Sequence, residues 1–306
     1  MTIMDEVPRG RVAVIGQGHV GLPVALRAAQ VGYDVVGFDA DGAKVAGLRA
    51  GRSGIAEWDA PLGDALAAGR YRPAADPREI GVVDAAVVAV PTPLTDGRPD
   101  LAAVRAAAQL AGRCCRPDGL AVLESTVAPG TTRGIFAAEL RAAARGSGGS
   151  PPQLVAFSPE RFDPGNLTWR LENTPKLVGG LDEASTRAAA AFYRDLCDEV
   201  IEVASAEIAE AAKLWENTYR YVNIALVNEF AMHARALGID VQQVIEAAGT
   251  KPFGFHAFRP GPGVGGHCLP IDPLYLSDAA AGAGRRFELV ELAARINAAQ
   301  PSYIVE

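Results

Sequence analysis

One cysteine closes the most unusual stretch of the chain. Arg259-Pro260-Gly261-Pro262-Gly263-Val264-Gly265-Gly266-His267-Cys268 places four glycines and two prolines ahead of a single thiol, then runs on through Leu269-Pro270-Ile271-Asp272. Such a segment has little to bury and brings backbone close to something. A thiol at its end is either a nucleophile or a small buried hydrophobe, and composition leaves both readings open. Lys213 and Asn217 stand four residues apart in a helical pattern, so they share a face. Together they could hold a developing oxyanion; equally, they read as a solvent-facing lysine and a surface amide. Glu160 and Arg161 follow a strand end in Phe157-Ser158-Pro159-Glu160-Arg161-Phe162. His267 neighbours the thiol, but adjacent residues in an extended segment point apart, so it reads as structural or specificity-determining. Cys114, Cys115 and Cys197 sit in helical patterns and read as packing.

A second glycine cluster points to a different chemistry. The apolar run Arg11–Ile15 leads into Gly16-Gln17-Gly18-His19-Val20-Gly21, and a helical pattern follows. The first glycine permits a tight turn. The second lets backbone approach a pyrophosphate, and the third lets helix and strand pack closely. The phosphates would sit at the helix N-terminus, where N–H groups and the dipole favour an anion. Asp39 closes the next strand about 20 residues on, where a carboxylate accepts from a ribose 2′-OH and repels a 2′-phosphate. NAD is therefore expected rather than NADP; the plainer alternative is a glycine turn of structural use only. Asp41 fits an ordinary N-cap. Two further loops leave strand ends, Val90-Pro91-Thr92-Pro93 and Glu124-Ser125-Thr126-Val127-Ala128-Pro129-Gly130-Thr131-Thr132. Each offers hydroxyls and constrained backbone, either for a ligand or for a helix cap at Thr131.

These residues need a frame. Strands are predicted over 11–15, 35–38, 85–90, 120–123, 154–157, 176–178 and 200–203, with helices around 20–31, 41–50, 101–113, 132–144 and 183–197. The strands are near-continuous apolar runs, which suits parallel strands covered on both faces. This rhythm predicts an α/β fold: a Rossmann-like doubly wound parallel sheet over residues 1–204. The stretch RGSGGSPP (145–152) reads as a loop inside it. An all-helical domain is predicted over 205–306. It comprises a long helix from about 205 to 237, another over 240–248, a Gly/Pro-rich loop over 250–273, and a last helix over about 286–299.

The bulk chemistry narrows the class. A length of 306 residues with 49% hydrophobic content suits two globular domains. A net charge of −7 argues against a nucleic-acid binder. The opening MTIMDEVPRG lacks the layout of a signal peptide, and no apolar run reaches the roughly 18 residues of a membrane span. Four cysteines and four histidines fit neither a metal site nor a disulfide framework. Free thiols in a cytoplasmic compartment are expected, with no metal. The long helix is apolar around much of its circumference, at Ile208, Leu214, Trp215, Tyr219, Val222, Ile224, Leu226, Val227 and Phe230. That predicts a homodimer through this helix.

Taken together, the motifs resemble the UDP-glucose/GDP-mannose dehydrogenase family, and within it the UDP-N-acetylglucosamine and UDP-N-acetylmannosamine 6-dehydrogenases. The carrying segments are GQGHVGLP (16–23), VPTPL (90–94), ESTVAPGTT (124–132), SPERFDPGN (158–166), KLWENTYRYVNIALVNE (213–229), TKPFGF (250–255) and PGPGVGGHCLPIDPLYL (260–276). His267 before Cys268, with Pro270 and Asp272-Pro273 after it, resembles the N-acetylhexosamine branch. The resemblance implies a four-electron oxidation of a UDP-sugar C6 alcohol by two NAD, with Cys268 forming a thiohemiacetal and then a thioester. It implies that Lys213 and Asn217 hold the oxyanion and that Asp272 positions water or Lys213. Glu160 would be the base for hydrolysis, with Thr126 near the same water. It assigns Gly16, Gly18, His19, Val20, Gly21, Asp39, Lys44, Pro91, Thr92 and Thr126 to NAD. Glu160, Arg161, Lys213, Asn217, Arg259 and Gly265 fall to the substrate. Family members carry a third, C-terminal α/β domain that grips UDP, and this sequence stops at Pro301–Glu306, in the helix leading to it. The resemblance thus implies either a longer chain cut short or a naturally short homologue. In the second case the substrate is smaller, or a partner chain completes the site.

Overall fold

The computed structural model describes residues 9–161, 165–166, 168–266 and 269–305; His267 and Cys268 lie outside the described residues. The chain packs as two units, Met1–Pro93 with Asp100–Glu210, and Leu94–Pro99 with Ala211–Glu306.

In the first unit, β1 (Arg11–Ile15) turns through the first glycine cluster into α1 (Gly21–Gln30) and β2 (Asp34–Phe38). Then come α2 (Gly42–Arg49), α3 (Ala56–Ala67), β3 (Tyr71–Ala74) and β4 (Val83–Val88). After a two-stranded hairpin, β5 (Leu94–Thr95) and β6 (Arg98–Pro99), the chain continues as α4 (Ala102–Cys114), β7 (Cys115–Leu123) and α5 (Ala137–Gly146). The elements β8 (Leu154–Phe157), β9 (Lys176–Gly180), α6 (Glu183–Leu196) and β10 (Val200–Glu202) complete the sheet. Its strand order is β3-β2-β1-β4-β7-β8-β9-β10. The chain winds outward from β1 in both directions, so the crevice beyond β1 and β4 is the topological switch point where such sheets bind ligands.

The apolar runs have a simple cause. Val12, Val14, Val35 and Val122 pack on one face with side chains of α1, α3 and α6. Ala13, Ile15, Val36 and Leu123 pack on the other with side chains of α4 and α5. Both faces are covered, so alternation disappears. Three features depart from expectation. The strand β3 has Arg72 and Pro73 inside it, which hides it as a run; Pro is tolerated because β3 is an edge. The helix α3 carries Pro61 and three acidic side chains, and its pattern is correspondingly weak. The sheet is also not wholly parallel. β8 and β9 pair antiparallel, Phe157 opposite Gly179, and none of the described residues between 158 and 175 forms a crossover helix to carry a parallel return.

In the second unit, α7 (Ala206–Ala236), which starts in the first, is followed by α8 (Val241–Gly249), α9 (Asp272–Gly282) and α10 (Glu288–Val305). The loop expected to reach Pro273 ends sooner, since α9 starts at Asp272 with Pro273 in its first turn. A missing N–H costs little there. The apolar core of this unit is small: Tyr221, Ala225 and Ala293, with Val222, Val264, Ala294 and Ile296 against them. Trp215, Tyr219, Leu226 and Phe230 stay exposed. Their spacing of four, seven and four places them on one stripe of α7. Among the described residues no helix is long and apolar enough to cross a membrane.

Candidate functional site

The first unit builds its site largely from backbone. Gly16 has φ +98°, and a Cβ on it would lie 2.2 Å from the Ala89 carbonyl oxygen. A Cβ on Gly21 would lie 1.8 Å from the Gly16 carbonyl oxygen, so α1 packs directly on the turn. Gly18, between them, has nothing within 4 Å of its would-be Cβ. His19 beside it is exposed and Val20 half-buried. No side chain caps α1, which leaves its N-terminal backbone available to an anion.

Asp39 stands beyond β2. One of its oxygens accepts from the Gln17 N–H at 2.9 Å and the Lys44 Nζ at 2.7 Å, and the other from the Asp41 N–H at 2.9 Å. Burial by itself would raise the Asp39 pKa; the bonds from Lys44, Asp41 and Gln17 outweigh it and hold the carboxyl below its ordinary value. Asp39 is thus a fixed anion placed for ribose hydroxyls. An open glycine, an uncapped helix start and this carboxylate together fit a dinucleotide without a 2′-phosphate. Asp41 is the N-cap of α2, accepting from the N–H groups of Ala43 and Lys44. Gln17 went unnoticed in the sequence. It is buried, donates to the Val14 carbonyl at 2.8 Å and accepts from the Tyr71 hydroxyl at 2.7 Å, which locks the turn to the sheet.

The two strand-end loops are tied together. The Ser125 Oγ accepts from the Val90 N–H at 2.9 Å and donates to the Val90 carbonyl at 2.8 Å. Next to these, Pro91 is exposed, while Thr92 and Thr126 are half-buried. Thr131 is no helix cap; its hydroxyl donates to the Ala128 carbonyl at 2.6 Å, ahead of a π-helical turn over Thr132–Phe136. The loop is held by Glu210, which no sequence signal distinguished from an ordinary helical glutamate. Glu210 is fully buried and accepts from the N–H of Gly130 at 2.6 Å, the N–H of Thr132 at 2.8 Å and the Thr132 hydroxyl at 2.6 Å. Burial pushes its pKa up to about 7, against the pull of these three bonds. Glu124, also passed over, is buried against Lys176 at 3.1 Å and accepts from the Tyr193 hydroxyl. Glu160 is half-buried just past β8, and Arg161 donates to the Pro175 carbonyl at 2.7 Å.

The second unit builds with side chains. Lys213, Asn217 and Asp272 are 7%, 8% and 3% exposed, deep for such polar groups. The Asn217 Nδ2 donates to Asp272 Oδ2 at 2.5 Å. Burial raises the Asp272 pKa, opposed by the bond from Asn217 and the positive charge of Lys213. One face of α7 and the first residue of α9 thus bring an ammonium, an amide and a carboxyl into one buried cluster. Buried polar groups of this kind are kept by pairing with one another. Arg259 is not in it; it is exposed and donates to the Gln242 Oε1 on α8 at 3.0 Å. Gly265 is exposed, with open space around it. The three described cysteines are buried free thiols. Burial pushes Cys114 and Cys115 up to about 12 and Cys197 up to about 11, so none holds appreciable thiolate at neutral pH. A cavity of about 760 Å³ lies against the last turn of α1, α3 and the segment around Trp169.

The chain matches the NAD binding domain of the UDP-glucose/GDP-mannose dehydrogenase family over residues 10–197 and the family's central domain over 207–299. A UDP-N-acetyl-D-mannosamine dehydrogenase from Pyrococcus horikoshii is 36% identical over 295 residues, covering 96% of this chain and 69% of that protein. A UDP-N-acetyl-D-glucosamine 6-dehydrogenase from Salmonella typhi is 36% identical, covering 99% of this chain and 70% of the relative. Among solved structures, a UDP-glucose dehydrogenase from Pyrobaculum islandicum superposes with a TM-score of 0.87 at 32% identity, covering 98% of this chain and 71% of that one. The chain belongs to the UDP-glucose/GDP-mannose dehydrogenase family, and its first unit carries that family's NAD-binding domain.

Proposed function

We propose that this family member oxidises the C6 alcohol of a UDP-linked N-acetylhexosamine to the carboxylate, with Cys268 as covalent nucleophile. The observation that carries the reading is the buried Lys213–Asn217–Asp272 cluster, whose carboxyl begins α9 four residues after Cys268. NAD supplies the hydride acceptor, once for each of two oxidations. The alcohol loses a proton and a hydride and becomes an aldehyde. The Cys268 thiolate adds to the aldehyde carbon, forming the C–S bond of a thiohemiacetal. Loss of a second hydride and the hydroxyl proton gives a thioester. Water attacks it, the C–S bond breaks, and carboxylate and thiol are released.

The chain's own groups suit these demands. Lys213 and Asn217 present N–H donors where oxygen gains charge, in a dry setting that strengthens them. Asp272, tied to Asn217, fixes the amide and stays close enough to steady Lys213 or a water. Glu160 is the base for the hydrolytic water, with Thr126 near the same water. Arg161 and Arg259 already hold protein acceptors, so a substrate contact by either exchanges those bonds. His267 before Cys268, and relatives acting on UDP-N-acetylmannosamine and UDP-N-acetylglucosamine, support the N-acetylhexosamine. The uncovered stripe of Trp215, Tyr219, Leu226 and Phe230 supports a homodimer through α7, which sedimentation would report as twice the chain mass.

The test is stoichiometry. With UDP-N-acetylmannosamine or UDP-N-acetylglucosamine the protein should form two NADH per sugar consumed, and Cys268→Ser should stall before the acid. One NADH with a free aldehyde or ketone as product overturns the four-electron reading.

A further inference from the structure

The glycine-rich segment is fastened to α7 at both ends, and only one fastening belongs to the cluster already described. At its far end, Asp272 holds Asn217. At its near end, the Gly261 N–H donates to the Asn228 Oδ1 at 2.9 Å. Asn228 is fully buried. Its Nδ2 donates to the Asn297 Oδ1 on α10 at 3.4 Å, and the Asn297 Nδ2 donates to the Tyr221 carbonyl at 3.3 Å, back on α7. Two residues along, Gly263 has φ +100°, and a Cβ there would lie 2.8 Å from the Asn297 carbonyl oxygen. Asn297 therefore backs Asn228 and also bears on the segment itself.

Spacing gives the segment a direction. Asn217 and Asn228 are eleven residues apart, about three helical turns, so they lie roughly 16 Å apart along the axis and within about 20° of one face. Gly261 and Asp272 are also eleven residues apart. The later helix residue holds the earlier segment residue, so the two anchor points follow in opposite order along one stripe of α7. Eleven residues could extend to roughly 36 Å, more than twice that gap. The chain between the anchors is longer than the gap it spans, so neither anchor is dictated by the other. Burying an amide where an apolar side chain would pack is costly unless the amide is hydrogen-bonded. Asn228 spends both ends of its amide on this fastening.

We propose that Asn228, backed by Asn297, is a positioning residue that fixes the start of the Gly261–Asp272 segment and so sets the reactivity of Cys268 within it. The proposal rests on reading Cys268 as the nucleophile. It is tested on the full chain by iodoacetamide alkylation, with the modified cysteine located by mass spectrometry across pH 6 to 9 and Cys268→Ser as the blank. In the wild type, Cys268 should be the cysteine labelled, with an inflection below that of an ordinary thiol. Asn228→Ala should slow labelling at pH 7 about tenfold and move the inflection up by about one pH unit, while Cys114, Cys115 and Cys197 stay unlabelled. That pattern separates a local change from general loosening, which would expose all four. Asn228→Asp keeps an acceptor for the Gly261 N–H and should recover part of the rate. Gly261→Ala keeps the N–H and meets nothing within 4 Å, so it should label like the wild type. If Asn228→Ala folds poorly, Asn297→Ala removes the backing from outside the segment and should shift the inflection the same way by less. A reactive wild-type Cys268 left unmoved by Asn228→Ala and Asn297→Ala overturns the positioning role alone. An unreactive Cys268 in the wild type overturns the nucleophile reading, and this proposal with it.

Discussion

The two units solve the problem of a binding site by opposite means. The sheet unit shapes its crevice with absences: glycines where a Cβ would strike a carbonyl, a helix with no cap, a turn closed by backbone bonds. The helical unit shapes its cluster with presences: a lysine, an asparagine and an aspartate, all buried. Sites made of backbone tolerate almost no added atoms but survive many side-chain changes. Sites made of buried side chains tolerate added atoms nearby but depend on every hydrogen bond being made.

The contrast can be broken most sharply at Gly21. Gly21→Ala forces a Cβ to 1.8 Å from a carbonyl oxygen, and the sheet unit should lose more than about 4 kcal/mol of stability, read by calorimetry. Gly18→Ala, three residues away with open space, should leave the melting temperature nearly unchanged and weaken NAD binding instead. Equal damage from both would end the distinction between packing glycine and ligand-facing glycine.

Glu210 tests whether the sheet unit is as independent of buried side chains as its glycines suggest. Its pKa rises from 4.5 to about 7 on folding. The folded state therefore holds this proton more tightly, and the associated stability is complete below about 4.5 and lost as pH climbs through about 7. The span is on the order of 3 kcal/mol. In Glu210→Gln the fall in melting temperature between about pH 5 and about pH 8 should flatten by several degrees. An unchanged slope would remove Glu210 from the account. The smallest of the three effects is expected in the helical unit. Asn217→Ala leaves the Asp272 carboxyl without its 2.5 Å donor, which should cost about 2 kcal/mol in urea unfolding and raise the Asp272 pKa further. The loss should grow as pH rises, because the group resists ionising in the folded state.

The same contrast explains what could be read from the sequence. Sites made of absences announce themselves. Gly16, Gly18 and Gly21 between an apolar run and a helix have few alternative uses, and the two-faced apolar strands marked the sheet. The strand β3 escaped because Arg72 and Pro73 interrupt it, and the antiparallel return at β9 because nothing local encodes strand direction. Sites made of presences look ordinary until folded. Lys213 and Asn217 could have been surface residues, and only the resemblance lifted them. Glu210, Asn228 and Asn297 gave no signal, since a buried polar residue on a helix differs from an exposed one only in what lies opposite. Arg259 shows the converse, a conspicuous cation in a conspicuous segment that the fold turns onto Gln242.

The hairpin Leu94–Pro99 has a consequence for how the two units can be handled. It is encoded within the sheet unit but packs with the helical one, where β6 meets α9. The polypeptide therefore passes between the units at three points in sequence, after Pro93, after Pro99 and after Glu210. A single cut near residue 204 cannot release either unit whole. The amino-terminal fragment would carry a hairpin stripped of its partner helix, and the carboxy-terminal fragment would lack two strands of its own surface. Whoever wishes to graft a different helical half onto this cofactor half must exchange two stretches of gene rather than one.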